Sequence, residues 1–161
     1  MKEILEILEK DGKATPEAIA RMLGMTAKAV AGTIKKMEKD GTILKYKAVI
    51  NREIGRDEDS SVRALIEVRI IPQKNLGFES VAERIYKFSE VASCYLMSGT
   101  YDLLVVVEGK NIQTVANFVS EKLAPMEYVR GTVTHFILKK YKEDGDILKS
   151  PEKTKRQAIT L

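Results

Sequence analysis

The stretch TPEAIARMLGMTAKAVAGTIKKMEKDG, residues 15–41, predicts two short amphipathic helices joined by a glycine-containing turn. Thr15 can cap the first helix with its hydroxyl, and Pro16 suits the first helical position, where a backbone N–H is not needed. Gly24 can adopt the left-handed conformation that ends a helix, and Thr26 can start the next one. This order of elements is typical of a helix-turn-helix.

The two predicted helices each have an apolar face. Ile19, Met22 and Leu23 share one face of the first helix by their spacing. In the second helix the apolar stripe consists of Val30, Ile34 and Met37, and the opposite side consists of Lys28, Gly32, Lys35 and Lys39, with Lys36 beside them. A recognition helix has such faces, because its outward side enters the major groove while lysines contact phosphates. An ordinary solvated helix face shows the same lysines.

The flanking segments favour a DNA-recognition helix over an ordinary solvated helix. A helix around Ile4, Leu5 and Leu8 precedes the stretch, and the run from Ile43 to Ile50 has the pattern of a strand. We therefore predict a three-helix winged unit over residues 1–54, in which this strand serves as wing and connector.

Composition limits the class of protein. With 161 residues, of which 44% are hydrophobic, the chain can form one ordinary domain or two small ones. The single cysteine, Cys94, excludes an intramolecular disulfide framework and a cysteine-rich zinc site, and is expected to fill space in an apolar strand. The sequence has neither a signal-peptide pattern nor a membrane-length apolar run. We expect a soluble cytoplasmic protein without a metal or other cofactor.

Charge is distributed unevenly along the chain. Residues 1–56 contain 12 lysines and arginines against 8 acidic residues, so they carry the whole net charge of +4. The excess lies with the predicted helix-turn-helix, and its sign is the one that nucleic-acid binding requires.

The second half of the chain begins after a change in composition at GRDEDSS, residues 55–61. We place a linker at residues 55–60 and a second domain at 61–141. Its hydrophobic period alternates between that of strands and that of helices. The strands are predicted at 62–70, 91–97, 101–107 and 129–141, and the helices around Val81, Ile85 and Phe88 and around Ile112, Val115, Ala116, Val119 and Leu123.

This order, βαββαβ, is that of a ferredoxin-like domain, so the fold class is α+β. One strand has consequences for assembly, because Leu103, Val105 and Val107 alternate with the equally apolar Leu104 and Val106. Helices can cover only one face of the sheet, so a homodimer through the second domain is predicted. Residues 142–161 show no period and mix both charges, so they are predicted to form a largely disordered tail.

Two motifs, IARMLGMTAKAVAGTIKKMEKDGTI and GTYDLLVVVEG, resemble those of the Lrp/AsnC family of feast/famine transcriptional regulators. The first fits the family's winged helix-turn-helix. The second fits the G.YD.LL motif of its ACT-like RAM (regulation of amino-acid metabolism) domain through Gly99, Tyr101, Asp102, Leu103 and Leu104. The resemblance covers residues 1–141 and implies dimers that bind double-stranded DNA, often as tetramers or octamers. It also implies that small effectors, usually amino acids, bind between second domains.

The resemblance also assigns candidate DNA-binding residues. Thr26 matches the cap of the family's recognition helix, and Lys28, Ala29, Thr33 and Lys36 match positions that commonly face DNA. The full candidate set for DNA is Thr26, Lys28, Ala29, Gly32, Thr33, Lys35, Lys36, Lys39 and Lys45. Family members often have a basic residue where this chain has Gly32 and Thr33, so strong guanine-reading side chains are missing.

The effector site carried over from the family is the loop formed by Ser98, Gly99, Thr100, Tyr101 and Asp102. Its glycine leaves N–H groups open to a carboxylate, and Asp102 can pair with an α-ammonium group. The alternative is a hairpin turn in which Asp102 is only a capping acceptor.

Two other functions are compatible with the sequence. The first alternative is an enzyme, because the sirohaem decarboxylases resemble this chain in their two-domain architecture. His135, the one histidine in the sequence, would then be the candidate acid or ligand. Against it, the sequence contains no catalytic-triad, metal-ligand or phosphate-loop pattern. A regulatory adaptor that does not bind DNA is the other alternative. The favoured prediction is a regulator of amino-acid or related metabolism that is not an enzyme.

Overall fold

A computed structural model describes residues 1–51, 61–71 and 77–148 of the chain. Its contacts divide the chain into two compact units, Met1–Ile50 and Asn51–Leu161. The predicted linker at residues 55–60 lies outside the described residues, and so does the predicted tail from residue 149 onward.

The first unit contains three helices, α1 (Lys2–Lys10), α2 (Pro16–Leu23) and α3 (Ala27–Lys39). Both predicted caps are present. The Thr15 hydroxyl accepts the N–H of Ala18 at 3.3 Å, and the Thr26 hydroxyl accepts that of Ala29 at 3.2 Å. Gly24 ends α2 with a left-handed φ of +65°. The helix-turn-helix therefore begins and turns where its sequence predicts.

The apolar stripes of these helices meet in a single core. Ile4, Ile19, Val30 and Met37 are each at most 1% exposed. Met22, predicted on the buried face of α2, is instead 68% exposed. The buried face is centred on Ile19 and Ala20, so Met22 falls at its edge and points to solvent.

The run after α3 is not a strand in the described chain, which corrects the prediction for residues 43–50. Only its first residue, Ile43, packs against the helical core, and Ile43 N–H donates to the Met37 carbonyl at 2.9 Å. Leu44 is 87% exposed and Ile50 is 64% exposed. An alternating pattern forms a strand only when its backbone pairs with a second strand, and in the described part of the chain no strand pairs with residues 43–50.

The second unit is built on a four-stranded antiparallel sheet with strand order β2-β3-β1-β4. The chain runs through β1 (Val62–Ile70), α4 (Phe78–Tyr86), β2 (Val91–Leu96), β3 (Leu103–Gly109), α5 (Ile112–Asn117) and β4 (Val129–Phe136). This is the predicted βαββαβ order. The structure starts β3 two residues later than predicted and ends β4 at Phe136 rather than residue 141.

The helices cover one face of this sheet. Ile66 and Val105 at its centre are fully buried, and they belong to one core with Ile85 of α4 and Val115 of α5. Burying such side chains stabilises the fold by about 1.5–3 kcal/mol each. The predicted alternation of β3 is confirmed, since Leu103, Val105 and Val107 belong to this core whereas Val106 does not.

The second helix of this unit differs from the prediction in its buried face. After α5 the chain continues as a π-helical turn, Phe118–Leu123, which contains one residue more per turn than an α-helix. The extra residue lets Phe118 and Leu123 both reach the core, at 3% and 0% exposure. Ile112, expected on the buried face, is 58% exposed.

The prediction of a disordered tail is wrong for residues 142–148. Two short strands, β5 (Lys142–Glu143) and β6 (Asp146–Ile147), pair as an antiparallel hairpin. Its turn is Asp144-Gly145, and both residues have positive φ, +47° and +95°. Asp-Gly is a strong signal for a two-residue hairpin turn of this kind. Glu143 also holds the hairpin to β1, because Arg63 Nη1 donates to Glu143 Oε1 at 2.7 Å.

Candidate DNA-binding and effector sites

The outward face of α3 lies opposite its buried stripe. Val30 and Met37 are fully buried and Ile34 is half-buried. The residues on the other side are all exposed, and we use the term outward face for these six: Lys28, Ala29, Gly32, Lys35, Lys36 and Lys39. The outward face is therefore flat at Ala29 and Gly32 and cationic around them.

The two threonines predicted at this site have structural partners. Thr26 uses its hydroxyl oxygen to cap α3. Thr33 is half-buried, and its hydroxyl donates to the Ala29 carbonyl at 2.9 Å. The Thr33 proton is thus engaged within the helix, and the lysines supply most of the polar chemistry of the outward face.

The end of α3 carries a fixed negative charge beside these lysines. The hydroxyl and the N–H of Thr42 donate to Asp40 Oδ1 at 2.6 and 3.0 Å. These two hydrogen bonds, with a smaller contribution from Lys36, hold the pKa of the Asp40 carboxyl below its ordinary value. The turn they form redirects the chain toward Lys45, which is exposed.

The predicted effector loop joins β2 to β3. Ser98, Gly99 and Thr100 are exposed, whereas Tyr101 and Asp102 are half-buried. Two open clefts of the second unit, of about 480 and 710 Å³, are lined by other residues. Residues 98–102 line neither of these two clefts.

Asp102 has a defined role in this hairpin. Its Oδ2 accepts the N–H of Ile70 at 2.7 Å, its own N–H donates to the Val68 carbonyl at 3.0 Å, and its carbonyl accepts the N–H of Met97 at 2.8 Å. The carboxylate thus ties the loop to the end of β1 as a capping acceptor does. Sequence reasoning named the residue and this alternative, but could not name Ile70 as the donor.

The side of the sheet opposite the helices, here called the open sheet face, is largely apolar. Leu65 pairs in register with Val106 on one side and with His135 on the other, and Glu67 pairs with Leu104 and Val133. Val106 is 5% exposed, while Val133 is 46% exposed. Tyr95, beside Leu104, is 52% exposed. These residues form a continuous patch across all four strands.

His135 lies on this face rather than in an enclosed pocket. Its Nε2 is 3.0 Å from Glu67 Oε1, and its side chain is 54% exposed.

Cys94, on β2, is half-buried, and burial raises the pKa of its thiol. Among the described residues, no three His, Cys, Asp or Glu side chains gather closely enough to hold a metal ion. The helices of the described ranges are too short or too polar to cross a membrane.

Comparison with known proteins assigns a family model to each unit. Residues 1–43 match a winged helix-turn-helix DNA-binding model, and residues 63–147 match the Lrp/AsnC ligand-binding domain. The second match includes the β5–β6 hairpin.

Relatives extend the match over nearly the whole chain. An uncharacterized HTH-type transcriptional regulator, YugG of Bacillus subtilis, is 46% identical over 98% of this chain and 95% of its own length. The HTH-type transcriptional regulator FL11 of Pyrococcus furiosus is 31% identical, covering 91% of this chain and 92% of its own. These names are those of regulators, and they give no support to the decarboxylase alternative.

A solved structure shares the fold. A feast or famine regulatory protein from M. tuberculosis, complexed with L-methionine, has a TM-score of 0.70 at 21% identity, covering 92% of this chain and 96% of that chain. Both units are thus found together in a known architecture.

Proposed function

Because this chain belongs to the Lrp/AsnC family of transcriptional regulators, we propose that it binds double-stranded DNA through the outward face of α3. The observation that supports this most directly is the placement of lysines. Lys28, Lys35 and Lys39 are exposed on the side of α3 opposite the buried Val30 and Met37. Such a helix can dock by one side and contact phosphates with the other.

A salt series tests this proposal. Binding of the full chain to a fragment of its own promoter is measured by fluorescence anisotropy at several salt concentrations. Lys28→Ala and Lys35→Ala should each weaken binding and lower the slope of log K against log salt by about 0.9. Lys2→Ala is the matched control, because Lys2 is exposed on α1. Binding that is absent or insensitive to salt would favour the adaptor that does not bind DNA.

Sequence selectivity is proposed to come mainly from the pairing of recognition helices and the shape of the DNA. The outward face offers Ala29 and Gly32 where a long base-reading side chain is needed for guanine. Two such helices in a dimer must engage half-sites about 10 base pairs apart, or a multiple of that distance, to lie on one side of the duplex.

A homodimer is proposed to form through the open sheet face. Leu65, Leu104 and Val106 give this face an apolar centre that the helices of the same chain do not cover. A two-fold axis would place the face against its own copy, which is the commonest closed assembly. Sedimentation of the full chain tests this, since a folded monomer at micromolar concentration would contradict it. The same measurement reveals any tetramer or octamer.

The proposed effector is an amino acid, which would bind at residues 98–102 between the second domains of neighbouring chains. The protein is proposed to act in the cytoplasm. Gly99 and the neighbouring hydroxyls of Ser98 and Thr100 are exposed and can donate to a carboxylate. A ligand that binds one assembly state more tightly shifts the protein toward that state, which changes which half-sites can be engaged together.

Calorimetry with a panel of amino acids tests the effector proposal. Asp102→Asn is a suitable variant, because its amide oxygen can still accept the Ile70 N–H while the charge that would pair with an α-ammonium group is lost. Wild-type binding that disappears in this variant supports the site. Equal binding by both proteins would remove Asp102 from it, and absence of binding to any amino acid would contradict the choice of ligand.

A further inference from the structure

Tyr46 connects the chain after α3 to two parts of the first unit. Its hydroxyl donates to Glu38 Oε1 at 3.1 Å. A Cβ added to Gly12, between α1 and α2, would lie 3.7 Å from Cδ1 of the Tyr46 ring, at ordinary van der Waals distance. Partial burial, with the neighbouring Glu38 carboxylate, raises the pKa of the Tyr46 hydroxyl above its ordinary value.

The partner of Tyr46 lies at the edge of the outward face. Glu38 follows Lys35 by three residues and Ile34 by four, so it lies beside both on the surface of α3. Ile34 faces the core and Lys35 faces outward. The hydrogen bond from Tyr46 thus attaches the following chain along the boundary between the buried side of α3 and its lysines.

Two contacts of the described residues flank Lys45, one before it and one after it. In the described chain, residues 44–50 pair with no strand, and the preceding anchor is Ile43, bound to the Met37 carbonyl. Between the two anchors lies Lys45, which is exposed. A lysine on a loose segment must be ordered when it contacts DNA, whereas a segment fixed in advance avoids that cost.

We propose that Tyr46 is a positioning residue for DNA binding, which fixes the segment after α3 through Glu38 so that Lys45 reaches a backbone phosphate. This inference rests on the proposed DNA contact of the outward face. It predicts that Tyr46 acts through Lys45, so the two residues must be coupled energetically.

A double-mutant cycle in the full chain tests the coupling. Affinity for the promoter fragment is measured in a salt series for Tyr46→Phe, Lys45→Ala and the double variant. Lys45→Ala should lower the salt slope by about 0.9. Tyr46→Phe should weaken binding by about threefold to tenfold, the size of one hydrogen bond, and lower the slope in the same way. The double variant should bind no worse than Lys45→Ala.

Conservative variants separate positioning from folding. Glu38→Gln keeps an oxygen that accepts the Tyr46 hydroxyl, so it should retain the wild-type salt slope, whereas Glu38→Ala should behave like Tyr46→Phe. Tyr86→Phe is the matched control, because Tyr86 is an exposed tyrosine of the second unit at 55% exposure. Helical circular dichroism checks that each variant is folded, and Glu38→Ala gives the result if Tyr46→Phe does not fold.

The outcomes distinguish this inference from the proposal beneath it. If Lys35→Ala leaves DNA binding unchanged, the outward face is not the DNA contact and the proposed function fails. If Lys35→Ala weakens binding but Tyr46→Phe does not, only the role of Tyr46 is overturned. An equal loss from Tyr46→Phe with and without Lys45 also overturns it, since that loss does not pass through the lysine.

Discussion

Replacing Gly32 with alanine should stabilise α3 and weaken sequence-specific DNA binding in the same protein. Gly32 lies in the interior of the 13-residue α3. An added Cβ would meet nothing within 4 Å beyond its own surroundings, so neither a clash nor a new contact offsets the gain in helix propensity. That gain is about 1 kcal/mol. It corresponds to roughly a fivefold change in the equilibrium between the folded and open forms of the helix.

Native-state hydrogen exchange of α3 amides measures the first effect. Exchange through opening of the helix should be about fivefold slower in Gly32→Ala. Ala31→Gly is the matched control, because Ala31 is its exposed neighbour and the reverse change should speed exchange by a similar factor. Unchanged exchange in both variants would refute the propensity argument.

DNA binding measures the second effect. The new methyl group would stand on the outward face, between the helix backbone and the base edges, and should weaken binding to the promoter fragment by about tenfold. The salt slope should not change, because no phosphate contact is lost. Slower exchange together with unchanged or tighter binding would show that Gly32 lies outside the DNA contact.

Three further variants test individual contacts. Thr26→Ala removes the cap of α3 and should cost about 1 kcal/mol, seen as a lower melting temperature that Thr26→Ser restores. Asp102→Ala leaves the Ile70 N–H without its acceptor and should cost about 1–3 kcal/mol in urea unfolding, whereas Asp102→Asn should cost less. Glu143→Gln weakens the ion pair with Arg63, in which the Glu143 side chain is 28% exposed and the Arg63 side chain 26% exposed. Because the pair is partly exposed, the substitution should lower the free energy of unfolding by less than about 1 kcal/mol, and the amides of the hairpin should exchange faster. A wild-type melting temperature in Thr26→Ala, wild-type urea unfolding in Asp102→Ala or wild-type amide exchange in Glu143→Gln would contradict the corresponding prediction.

Local signals were sufficient for most of the fold. Thr15 and Thr26 marked helix starts because a cap is a contact between residues three positions apart. The βαββαβ order followed from hydrophobic period alone, since each element buries one side against the same core. These features depend on neighbours in sequence or on a repeated pattern, and both can be recognised without coordinates.

The errors have the opposite character. Residues 43–50 alternate as a strand does, but alternation does not supply a partner strand. The predicted buried face of the second helix has α-helical spacing and leaves out Phe118, whereas the π-helical turn from Phe118 to Leu123 brings both of these residues to the core. The Asp144-Gly145 turn did carry a local signal that would have identified the last hairpin.

The sequence predicts which residues lie at the candidate sites better than it predicts which residues they contact. Lysines opposite an apolar stripe could be located by helical geometry, and the exposed outward face agrees with that placement. The bond from Tyr46 to Glu38 joins residues eight positions apart across a turn, so no periodicity indicates it. The same holds for Asp102 and Ile70, which are 32 positions apart.

If the proposed dimer forms through the open sheet face, the abundance of the protein becomes an input to regulation. A dimer built on Leu65, Leu104 and Val106 forms by mass action, so its amount rises with the square of the free chain concentration. At low copy number most chains would be monomers, so paired recognition helices would be scarce before any effector acted. A cell could thus adjust DNA binding by changing how much of the protein it makes. The effector would then shift the protein concentration at which dimers form.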